Sequence, residues 1–182
     1  MARLPFLEED DLLPEDRMLL ERPINLNKIL AHSPGAARAF GRLGGYIRHK
    51  SPLDPRLREL AILQVGWLAR SPYEWSHHVK IGQDFGVSEA DIHGLIADSS
   101  GAASDLGTLE RTVLRGAREI YDDLAMGEQT YDALRDALGE TCLVDLVLTI
   151  AFYCAVVRFL ATFEMDVEPD YQPYLDAFPL PE

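Results

Sequence analysis

The chain has 182 residues, 47% of them hydrophobic, and a formal net charge of −13. That length holds one domain with a real core and is short for two. So acidic a chain is poorly suited to nucleic acid or to an anionic membrane surface, and its basic residues are dispersed apart from Arg42, Arg48, His49 and Lys50 and the pair Arg56 and Arg58.

Met1 to Pro5 leads straight into Glu8, Glu9, Asp10 and Asp11 without an apolar stretch, so no secretory signal is expected. Pro14 opens a short acidic helix reaching Glu21, and Asn25 or Asn27 starts another through His32. Ser33-Pro34 reads as an N-cap followed by proline at the first helical position. The helix it opens runs towards Arg48, with Gly44-Gly45 as a candidate break. Asp54-Pro55 repeats the device. Leu57, Leu60, Ala61, Leu63, Val65 and Leu68 then recur at helical spacing with a broad buried face.

Ser71-Pro72 starts the next helix, which ends near Gly86, and Ser88 caps a short one with Asp91 at its third position. Residues 98–107 read as a loop. Thr108 opens a helix, Gln129 to Leu138 is a separate amphipathic segment, and Thr141 caps a long final helix ending near Met165. The tail, residues 167–182, has four prolines from Pro169 on and reads as extended over the surface. No alternating β-branched run is present. The reading is a single all-α domain, a helical bundle spanning residues 1–182, with a core over about 26–165 and an acidic arm over 1–25.

The most apolar stretch, Leu143 to Leu160, contains Asp145 and Arg158. Those charges favour a buried bundle helix or a subunit contact over a membrane span. Cys142 and Cys154 lie in it, separated by about 18 Å of helical rise, too far for a disulfide. Buried small hydrophobes in a cytoplasmic protein is the simplest reading of them.

Ser71, Glu74 and His78 are spaced three and then four apart, which puts them on one helix face. Glu59 lies on the preceding helix. A carboxylate from one helix therefore meets a carboxylate and an imidazole from the next, the raw material for proton transfer. Ser71 and Glu74 also form a capping box, which accounts for them without catalysis. It leaves His78 unexplained, and Glu59 among Leu57, Leu60 and Ala61 is costly unless paired. His77 points about 100° away from His78. Arg58, facing a pocket, would grip a carboxylate, and Tyr73, Trp75 and His77 would line it; core packing is the commoner role for the aromatic residues.

The run Leu53-Asp54-Pro55-Arg56-Leu57-Arg58-Glu59-Leu60-Ala61-Ile62-Leu63, with Tyr73 to His78 and Gly86-Val87-Ser88, resembles the carboxymuconolactone decarboxylase family, whose superfamily includes alkylhydroperoxidase D. Peroxidases of that group carry a Glu and a Cys-x-x-Cys-x-x-x-His on an all-helical fold. Glu59 and His78 match the relay residues, while Ser71 and Glu74 stand where the two thiols would be. The resemblance implies a small-molecule enzyme, a homotrimer or homohexamer, and neither metal nor cofactor. Catalysis would rest on Glu59, Glu74 and His78, with Ser71, Tyr73, Trp75, His77 and Arg58 binding substrate. The reaction would be decarboxylation, isomerisation or lactone opening of a small organic acid. A thiol peroxidase with its thiols elsewhere and a non-catalytic binding module remain the alternatives.

Overall fold

The computed structural model describes residues 2–181, and every regular element among them is helical. The centre is α3 (Pro55–Leu68), where every residue from Leu57 to Trp67 is buried. A helix buried on all sides needs partners on all sides. They are α4 (Pro72–Asp84), α6 (Thr108–Asp123) and α7 (Glu128–Thr162). The Asp54 carboxylate caps α3 by accepting from the Leu57 N–H, and Pro55 fills the first helical position. A three-residue link with Arg70 at φ 47 turns the chain into α4. The two helices pack closely at Gly66, where even a Cβ would make only ordinary van der Waals contact, 3.5 Å from the Trp75 backbone nitrogen.

Around this pair lie α1 (Asn25–Leu30), α2 (Pro34–His49) and α5 (Glu89–Ser99). Ser88 and Asp91 form a reciprocal capping box at the start of α5. Ser33 precedes α2 but makes no side-chain cap, and Gly44-Gly45 does not break the helix. Within α7, Gly139 at φ 75 and ψ 165 is non-helical, a conformation open to glycine, so two helical segments meet there.

The α7 window of highest hydropathy averages 2.1, and half of it is buried inside the protein. Val144 and Leu148 on its outer side are exposed. Cys142 and Cys154 are both free thiols.

The expected short helix from Pro14 is present as a 3-10 turn, while the tail differs from the reading as an extended segment. The arm forms 3-10 turns at Glu9–Asp11 and Pro14–Leu20, and Leu20 is buried. Lys28 pairs with Glu8, and Asp16 pairs with Arg38. The tail turns at Pro169–Tyr171, forms α8 (Gln172–Ala177) and packs on α4. Phe178 is 5% exposed, and its carbonyl accepts the Trp75 indole N–H at 2.6 Å. The prolines of this tail set turns and helix starts, and the buried ring gives the segment a reason to fold back.

Candidate active site

Glu59 reaches from α3 into the interface with α4 and is fully buried. Its Oε2 lies 2.7 Å from His78 Nδ1, and its Oε1 accepts from Arg58 Nε at 3.0 Å. Burial alone would push this carboxyl's pKa up. The adjacent His78 and Arg58 outweigh burial and hold it below the ordinary glutamate value.

Glu74 stands on the other side of the same ring. Its Oε1 is 3.1 Å from His78 Nε2 yet makes no hydrogen bond of ordinary geometry, and it is buried without a partner. Burial raises the Glu74 pKa; the His78 charge opposes that shift and the Glu59 charge adds to it. One imidazole thus sits between a carboxylate held ionised and a carboxyl inclined to keep its proton. The capping box at the start of α4 is only half formed. Ser71 Oγ accepts from the Glu74 N–H at 3.4 Å, while the Ser71 N–H donates to the Gly66 carbonyl. The Glu74 side chain turns towards His78 instead.

A cavity of about 240 Å³ opens onto His78 and Glu74. Phe40, Phe152 and Ile81 give it apolar walls. Gly41, Gly44 and Gly45 line it as well, and a Cβ at any of them would meet nothing within 4 Å. Glycine inside a helix costs about 1 kcal/mol relative to alanine, and here it leaves room.

Tyr73 and His77 also line the cavity, and Glu168 of the tail contacts both. The His77 ring is stacked between Tyr73, 4.1 Å away, and Tyr171, 3.5 Å away. His77 Nε2 lies 2.8 Å from Glu168 Oε2. Glu168 Oε1 accepts from the Tyr73 hydroxyl at 2.9 Å and from the Asn25 N–H at 2.7 Å. Burial lowers the His77 pKa despite Glu168, and Glu168 is held below its ordinary value by those donors against its own burial.

Three residues read from sequence as substrate contacts lie outside the cavity lining. Ser71 is the α4 cap, Trp75 is packed at 0% exposure, and Arg58 is buried with its guanidinium 4.6 Å from the Phe85 ring centroid. Arg58 also donates to the Arg48 carbonyl. Its neighbour Arg56 binds Asp91 and Glu110. Both His78 ring nitrogens face carboxylates and His77 Nε2 faces Glu168, so a metal would have to displace these contacts.

The structure adds cavity residues that local spacing could not reveal. Tyr153 of α7 meets the His78 ring edge-on at a centroid distance of 5.0 Å, and burial pushes its hydroxyl pKa up. Arg48 of α2 lines the same space. The arginine-histidine group at Arg48-His49 was the only sequence signal for it.

Residues 34–118, which contain α2, α3, α4 and α5, match the model of the carboxymuconolactone decarboxylase family. That stretch is similar to the family, and the sequence has no Cys-x-x-Cys pair. No curated protein matches the sequence. A peroxidase-related protein with an alkylhydroperoxidase AhpD core from Ralstonia eutropha JMP134 superposes with a TM-score of 0.81 at 21% identity, over 96% of this chain and 95% of that one. A peroxidase-related protein from Silicibacter sp. TM1040 gives 0.79 at 16%, over 93% of each chain. The debrominase Bmp8, in a cysteine-to-alanine form bound to 2,3,4-tribromopyrrole, gives 0.80 at 18%, over 98% of this chain and all of that one. At these identities the likeness is one of fold: the all-helical alkylhydroperoxidase D type.

Proposed function

We propose that this protein belongs to the carboxymuconolactone decarboxylase family and is a small-molecule enzyme that moves a proton on a small organic acid, by decarboxylation, isomerisation or lactone opening. The observation carrying this reading is the buried, unpartnered Glu74 Oε1 beside His78 Nε2 at the wall of an open cavity. Perturbed carboxyls in clefts are frequent catalytic groups. Glu59 orients the ring and stabilises an imidazolium. Glu74 and His78 exchange a proton with the substrate carbon or oxygen. In a decarboxylation the carbon–carbon bond breaks, carbon dioxide leaves, and its bonding pair remains as an enolate that the Glu74–His78 pair protonates. The next proton comes from water. Tyr73 and His77 would shape the substrate end, and the scheme invokes no metal or cofactor.

The cavity suits a small ring, and the debrominase of the same fold binds a five-membered one. Thiol peroxidase chemistry is disfavoured, because it needs a reactive thiolate at the site and neither Cys142 nor Cys154 lines the cavity. A purely structural role for the cluster is disfavoured by the open cavity and by the glycines that leave it room. The reading includes a soluble, cytoplasmic homo-oligomer, a trimer or hexamer. The exposed Val144 and Leu148 of α7 offer it an apolar contact, and the acidic surface argues against nucleic-acid or membrane partners. A panel of lactone and ring carboxylic acids, assayed beside an alkyl hydroperoxide with a dithiol, tests the activity. Turnover of a ring acid that His78→Gln abolishes supports the reading. Turnover that survives His78→Gln, or peroxidase activity lost in Cys142→Ser or Cys154→Ser, overturns it.

A further inference from the structure

We infer that Arg48 is the residue that recognises the substrate, by pairing with a carboxylate seated between it and Tyr153, and that this pairing delivers Glu74 in its acid form. The inference rests on the cavity being the substrate site.

Arg48 is half-buried on the last turn of α2, and its side chain lines the cavity together with Glu74, His78 and Tyr153. Two arginines line the cavity, Arg22 and Arg48, and neither has a carboxylate within 4 Å among the described residues; Arg22 donates to the Tyr171 hydroxyl, whereas Arg48 faces Glu74, His78 and Tyr153. In a chain of net charge −13, an arginine left without an acid at the wall of a cavity is a vacancy for an anion. The Tyr153 hydroxyl lines the same cavity, and its burial keeps it a neutral donor. A planar fork and a phenolic O–H facing one space fit a carboxylate, which accepts two parallel N–H bonds and one O–H bond. Arg58 cannot take this part, because its charge is already committed to Glu59 inside the core.

The coupling follows from the charges around Glu74. Glu59 on α3, His78 and Tyr73 on α4, Arg48 on α2 and Tyr153 on α7 surround it. Of these, His78 and Arg48 favour its ionised form and Glu59 opposes it. A carboxylate on Arg48 screens one of the two cations and brings another negative charge close. Both changes favour protonated Glu74. Binding therefore takes up a proton, and affinity rises as pH falls through the range in which Glu74 titrates. An anionic substrate in place would add to the proton occupancy of Glu74.

The probes are 2-furoate and its uncharged counterpart 2-furamide, titrated calorimetrically into the full-length protein in buffers of different ionisation enthalpy. Wild type should bind furoate roughly tenfold or more tightly over furamide, with proton uptake. Arg48→Met should abolish the preference and leave furamide affinity within about twofold. The Arg48 carbonyl that holds Arg58 is backbone and survives the change, and Arg48→Lys should keep part of the preference. Glu74→Gln should keep the preference and lose the proton uptake. Equal binding of the two probes by wild type, or a preference that survives in Arg48→Met, overturns the recognition while leaving the cavity as a binding site. Preference without proton uptake in wild type overturns the coupling. Failure of both probes to bind overturns the inference together with the substrate-site reading beneath it.

Discussion

His77 and His78 are neighbours in sequence, both buried, and both within hydrogen-bond distance of a glutamate, yet their surroundings differ in kind. His77 is clamped between two tyrosine rings, and its glutamate is saturated by three donors. His78 lies between two glutamates, one saturated and one left over. A fully satisfied polar cluster stabilises and fixes geometry, whereas a half-satisfied one costs stability and is retained where chemistry needs it. The His77 cluster pins the tail to α4; the His78 cluster holds a proton in reserve.

Changes on the two sides should separate that way. The largest effect should be on turnover. His78→Gln is expected to lower kcat by roughly 10²- to 10⁴-fold, the range of a general acid–base group, while the urea midpoint stays near wild type. Glu59→Ala should cost about 3–5 kcal/mol of stability in urea unfolding, because it leaves Arg58 buried with its charge unmatched. If it unfolds no more easily than wild type, the Glu59–Arg58–His78 link is misjudged.

Glu74→Gln should act in the opposite sense and stabilise the fold, by about 1–3 kcal/mol above the pH range in which Glu74 titrates, because it removes a buried carboxylate whose Oε1 lacks a hydrogen bond. The pH dependence separates these acids further. Glu59 and Glu168 titrate below their ordinary values when folded, so the stability they contribute is complete above the unfolded carboxyl range and is lost as pH falls through the folded values. Glu74 is raised, so it weakens the fold as pH climbs from its unfolded value through its folded one. Urea unfolding across pH should show that weakening in wild type and not in Glu74→Gln. The smallest effect belongs to the clamp. Glu168→Gln should cost about 1 kcal/mol and speed proteolysis of the tail, with kcat changed less than tenfold.

Much of the fold was legible because its signals are local. Asp54-Pro55, Ser71-Pro72 and Ser88 with Asp91 mark helix starts, and the apolar run from Leu57 to Leu68 marks a central helix. The i, i+4 spacing of Glu74 and His78 likewise fixes one face of α4. What escaped depends on distant segments. Glu168 and Tyr171 reach His77 only because the tail folds back, and proline content alone suggested an extended path. Arg48 and Tyr153 come to the cavity from α2 and α7, which no spacing rule connects. Ser71 and Arg58 show the converse. Each is close in sequence to the cluster, yet one is spent on a cap and the other on the core.

The protonation of Glu74 is the centre of the account, and a side-chain carboxyl carbon-13 NMR titration of the glutamate-labelled protein measures it directly, with Glu74→Gln assigning the resonance. The account predicts a single Glu74 transition displaced upward from the ordinary glutamate range near about 4.3, and moving further up when 2-furoate is bound. A Glu74 resonance that titrates with the exposed glutamates, or that is unmoved by the bound anion in a protein that binds it, would contradict the account.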